Sequence, residues 1–158
     1  MMIEFFSDGL FSAIAAIGFS AISRPPKRIF LYCAVVAAIG HAGRYALMYV
    51  ASMHILAATF VASVVLGTVA VMLSPLYKAP AETCIFPALL PMIPGIYAYK
   101  AFGGLAMCLL NGAPDTFDFY FYQFAFNGFT CVGILMCLVI GGTIPIFVFK
   151  KISFQATR

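Results

Sequence analysis

The chain has 158 residues, of which 64% are hydrophobic and 9% charged, and its mean hydropathy is +1.06. A soluble domain is about 25% charged, so this chain has too few polar side chains to cover its surface in water. The net charge of +4 comes from Lys and Arg set at span ends rather than on one face, so it is not a nucleic-acid footprint. The five cysteines (Cys33, Cys84, Cys108, Cys131, Cys137) form no CxxC and no Cys/His cluster, so neither disulfide, metal nor cofactor is indicated.

In chain order the sequence reads as an all-α integral membrane protein with about five transmembrane helices and no soluble domain. The first span covers residues 3–23; it opens with Glu4 and Asp8 where a signal peptide carries basic residues, and so reads as retained. Arg24-Pro25-Pro26-Lys27-Arg28 then breaks the helix and adds three positive charges. The second span covers 29–50, a turn follows at Ala51 to His54, and the third span covers 55–74, ended by Ser74-Pro75. Leu76 to Ala79 read as a short loop with Lys78, and the fourth span covers 80–102, with Pro80 suited to its first turn.

That fourth span contains Pro87, Pro91, Pro94 and Gly95. A proline removes one helical hydrogen bond and clashes with the preceding turn, at about 3 kcal/mol in water. In hydrocarbon the freed carbonyl needs protein or a water-filled cavity to receive it. The span is therefore expected to break at Pro91–Gly95, near mid-membrane, and broken helices are where transporters bind substrates and ions. Gly103 to Asp118, with Gly-Gly, Asn111-Gly112 and Pro114, read as the longest loop. The apolar run from Phe119 to Phe149 would extend roughly 46 Å as a helix against about 30 Å of hydrocarbon. Gly141-Gly142 and Pro145 are expected to bend or end it, so the fifth span is placed at 119–145. The aromatic run Phe117 to Tyr122 fits an interfacial belt.

With five spans, Arg24, Lys27, Arg28, Lys78, Lys150, Lys151 and Arg158 fall on one side, and Glu4, Asp8, Asp115 and Asp118 on the other. The positive-inside rule then orients the amino terminus outward and the carboxyl terminus inward. Arg44 lies within the second span, with His41 one turn earlier on the same face. Two readings stand for this pair. In one, Arg44 holds a carboxylate while His41 responds to protons. In the other, Arg44 snorkels to the headgroups and His41 bonds a neighbouring carbonyl.

Thr59, Ser63, Gly67, Ala70 and Ser74 recur at helical spacing, a stripe that serves close helix packing or lines a pathway. Gln123, Asn127 and Thr130 form a second polar stripe with the same two readings. Asp8 and Ser12 share a face that reads as solvated, and Glu82 suits the positive end of its helix. No nucleophile–base pair, phosphate loop or metal-ligand spacing occurs, so an enzyme is not expected.

The blocks Ala38-Ile39-Gly40-His41-Ala42-Gly43-Arg44, Ala58-Thr59-Phe60-Val61-Ala62-Ser63 and Pro91-Met92-Ile93-Pro94-Gly95-Ile96-Tyr97-Ala98-Tyr99 resemble the small YjjB-type subunit of threonine/serine exporters. The resemblance runs from about Ile3 to Lys151, and is similar to the carboxyl-terminal half of longer ThrE-type exporters. It implies a multi-pass subunit of a bacterial inner-membrane secondary transporter that exports threonine and serine, or small carboxylates such as succinate, on the proton gradient. It implies a larger YjjP-type partner subunit as well. It assigns no substrate residues. The candidate substrate-binding set of Arg44, His41, Pro91, Pro94 and Gly95 comes from their chemistry, as does the pathway set of Thr59, Ser63, Gln123 and Asn127. The competing reading is a membrane scaffold that assembles the partner without transporting.

Overall fold

A computed structural model describes residues 2–22, 24–110 and 114–149. Described residues form six α-helices, and no strand occurs among them. These are α1 (Met2–Ala21), α2 (Lys27–Tyr49), α3 (Ile55–Tyr77), α4 (Glu82–Leu89), α5 (Gly95–Leu110) and α6 (Pro114–Val148), with one 3-10 turn at Leu90–Met92 after α4. Four helices (α1, α2, α3 and α6) are long and apolar enough to cross a membrane; α4 and α5 make a fifth crossing if taken as one broken span. The chain is therefore an all-α integral membrane protein.

The helix boundaries have local causes. Pro26, in an extended conformation, precedes α2, and its carbonyl accepts from Ile29 N–H at 2.8 Å. His54 caps α3, its Nδ1 accepting from Leu56 N–H. Lys78 ends α3 in the left-handed region, φ 49°. The helix does not stop at Ser74-Pro75 as the sequence suggests. Pro75 cannot donate to the Val71 carbonyl four residues back, and the Ser74 hydroxyl donates to that carbonyl instead, at 3.0 Å. Pro87 likewise frees the Thr83 carbonyl, which faces the Cys33 thiol at 4.0 Å.

One unit comprises residues 2–92 and 137–149, apart from Ser23. Within it α2 is central and packs on α1, α3 and α4. Its core combines Tyr32, Val36, Leu66, Val71 and Met92 with small residues such as Ala37, Ala58, Ala70 and Ala88, all fully buried. Small side chains let helices approach closely where lipid removes the hydrophobic drive for association. At Gly67 an added Cβ would lie 2.8 Å from the Gly142 carbonyl oxygen, and at Gly141 it would overlap the Ser63 hydroxyl. Tyr32 stacks on Tyr77 at 4.8 Å and donates its hydroxyl to the Ala70 carbonyl.

The second unit comprises residues 93–110 and 114–136. It corrects the expected long loop: residues 103–110 continue α5, and α6 already starts at Pro114. Gly104 is not a turn residue but a contact point, where a Cβ would meet Phe124 N at 2.8 Å and Tyr120 O at 2.9 Å. Only 111–113 separate the helices, and they lie outside the described residues. Gly141-Gly142 and Pro145 do not end α6, which continues to Val148. Ser23, Lys150, Lys151, Arg158 and the side chain of Asp115, used in the expected span and topology, also lie outside the described residues.

Candidate functional site

The first unit brings an acid, an imidazole, a guanidinium and a helix break together. Asp8 on α1 faces His41 on α2, with the carboxylate Oδ2 3.0 Å from Nδ1. The imidazole is buried, while the Asp8 side chain is 38% exposed. A carboxylate can only accept, so Nδ1 carries the hydrogen of this bond and the neutral ring keeps its lone pair on Nε2. Nε2 is buried and has no partner among the described residues.

One turn along α2, Arg44 donates from Nη1 to the Met92 carbonyl at 3.0 Å. Met92 ends the 3-10 turn, where the regular ladder stops ahead of Pro94. The guanidinium supplies the hydrogen bond that hydrocarbon would not. It also lies within coulombic reach of Asp8. A turn nearer the start of α1, Glu4 accepts from the Tyr45 hydroxyl at 2.9 Å, so the acids of α1 face the polar positions of α2 in register. Beside the pair lies an apolar groove of about 580 Å³, lined by Phe5, Gly9, Leu10, Ala38 and Ala42 among others.

Of the residues expected at the site, His41, Arg44 and Pro91 belong to this unit, Pro91 within the 3-10 turn. Pro94 and Gly95 open the second unit, where Gly95 N–H bonds back to Ile93 O at 2.9 Å around Pro94 and so shapes the break. Arg44 bonds a main-chain carbonyl, and His41 bonds a carboxylate rather than the neighbouring carbonyl of the second reading.

Thr59 is fully buried with its hydroxyl unpartnered among the described residues. Ser63 donates to Phe60 O at 2.8 Å and reaches Cys137 O at 3.0 Å, which ties α3 to the end of α6. In the second unit Asn127 donates to Gln123 O at 2.7 Å within its own helix. Asp8 is the residue that sequence reasoning missed. Its signal was an acid inside an apolar run with Ser12 one turn on; Ser12 is buried, bonding Gly9 O at 2.8 Å.

A family model described as Threonine/Serine exporter, ThrE matches residues 8–148. An uncharacterised protein of Haemophilus influenzae is 35% identical over 150 residues, a match that covers 95% of this chain and 49% of the relative. The chain thus spans about half the length of that relative. No solved structure matches the chain.

Proposed function

The chain belongs to the threonine/serine exporter (ThrE) family, and on that premise we propose that it is one half of a secondary transporter exporting threonine, serine or small carboxylates such as succinate. A larger YjjP-type subunit is its partner. The membrane is the bacterial inner membrane, and the proton gradient drives transport.

One observation carries the reading. A guanidinium is held at a break in an apolar helix, one turn from a buried histidine paired with an acid. A structural role alone needs one donor for one freed carbonyl. Arg44 brings five, in a planar fork that matches a carboxylate. In this reading Arg44 pairs with the substrate carboxylate, backbone groups around Pro91 present polar atoms to the rest of it, and His41 carries the coupling proton.

The test is efflux of labelled threonine, serine and succinate from cells expressing the chain with its partner. Loss of efflux in Arg44→Ala supports the assignment. Unchanged efflux in both Arg44→Ala and His41→Ala removes it, and absence of efflux for every substrate counts against transport itself. A scaffold reading gains support from Ser63, which is engaged in helix packing; it requires that thiols placed along α3 and α6 show no water-accessible stripe.

A further inference from the structure

Resting on that carboxylate-transport reading, we infer that Asp8 is a positioning residue for proton uptake, and that a proton on His41 Nε2 and a carboxylate at Arg44 favour one another's binding. The Asp8 carboxylate accepts from Nδ1–H at 3.0 Å and so fixes the tautomer. The incoming proton therefore has one place to go, the Nε2 lone pair. Nε2 is buried and unpartnered among the described residues, which makes it a polar atom waiting for a ligand. Once protonated, Nε2–H is a donor that needs an acceptor, and a carboxylate oxygen is one.

Local charge sets the sign of the coupling. The charged groups nearest His41 in the fold are Asp8 from α1, which bonds it, and Arg44 one turn along α2, with Glu4 one turn away on α1 and engaged by Tyr45. The span of α3 contains no acidic or basic residue between His54 and Lys78. From α4, Glu82 and Cys84 act on Tyr32 and Cys33, more than two turns down α2, and the 3-10 turn Leu90–Met92 has no titratable side chain. Asp8 and Arg44 alone cancel. A bound carboxylate adds one negative charge, and a proton on His41 neutralises it. By linkage each ligand must then tighten the other. The proton simply binds and leaves Nε2; the Nδ1–H bond to Asp8 remains in place throughout.

The experiment uses the full chain with ¹⁵N-labelled histidine, assembled with its unlabelled partner subunit in lipid nanodiscs, the His41 signal being the one that disappears in His41→Gln. The neutral ring should carry its hydrogen on Nδ1 in the wild type and in Asp8→Glu, and lose that preference in Asp8→Asn. In parallel, succinate and L-threonine binding should weaken about five- to tenfold from pH 6 to pH 8 in the wild type and Asp8→Glu. The change should be under about twofold in Asp8→Asn and His41→Gln, where the coupling is lost. An Nε2–H tautomer, a wild-type pH profile surviving in Asp8→Asn, or tighter binding at high pH each overturns the inference and leaves carboxylate transport standing. If the wild type binds neither probe, the transport reading fails and the coupling with it, while the tautomer still decides the role of Asp8.

Discussion

Arg44 donates to the main-chain carbonyl of Met92, so a cation inside one apolar helix is the cap for the break in another. The relationship is reciprocal. The proline-rich stretch tolerates its missing ladder bonds because α2 brings a charged donor to it, and Arg44 tolerates partial burial because the break offers it an oxygen.

The two roles of Arg44 can be separated by substitution. A hydrogen bond to a charged group contributes about 1.5–3 kcal/mol, so Arg44→Ala should lower stability by about that amount, read as a shift in thermal unfolding in detergent. Arg44→Lys keeps the charge but not the fork, and should retain more stability than Arg44→Ala while reducing efflux at least about tenfold. Efflux in Arg44→Lys equal to wild type would mean that the fork is not used for substrate.

The helical passage through Pro75 makes a second prediction. Ser74→Ala leaves the Val71 carbonyl without its hydroxyl donor, and should destabilise the chain by about 0.5–1.5 kcal/mol. Adding Pro75→Ala restores a main-chain N–H for that carbonyl and should recover most of the loss. A double-mutant cycle of unfolding free energies reads the coupling; strict additivity of the two changes is the outcome that refutes it.

Glycines offer a third. Gly67→Ala and Gly141→Ala place a methyl against the Gly142 carbonyl oxygen and the Ser63 hydroxyl respectively. Overpacking of this sort costs about 1–3 kcal/mol, and should show as a lower melting temperature or loss of folded protein. Gly18→Ala, with nothing within 4 Å of the added carbon, should be close to neutral and serves as the control. Equal effects at all three positions would argue against close α3–α6 packing.

Native thiols report the same packing. Cys33 and Cys84 are fully buried in the first unit, whereas Cys131 and Cys137 are half-buried. A membrane-permeant maleimide should label Cys131 and Cys137 in the folded protein, and reach Cys33 and Cys84 only after denaturation. Rapid labelling of Cys33 or Cys84 under native conditions would contradict the α2–α4 contact.

Much of the fold was legible along the chain. Composition alone required a membrane, because 9% charged residues cannot cover a soluble surface, and the prolines at 91 and 94 marked the break between α4 and α5. Glycine was misleading. The pair at 103–104 and the pair at 141–142 looked like turns or ends, yet both sit inside helices, where Gly104 and Gly141 are the points at which neighbours meet. A sequence shows that a residue lacks a side chain; it does not show whether the freed space serves a bend or another helix.

By itself the sequence determined that apolar helices would span a bilayer, that one would be broken by proline, and that His41 and Arg44 would share a face, because these follow from composition and helical period. Only the tertiary structure decided what that face meets. Asp8 became the partner of His41, and Met92 that of Arg44, through contacts 33 and 48 residues apart in the chain. Hydrogen-bond partners at such separations depend on which helices pack side by side, and no local pattern along a single helix specifies that.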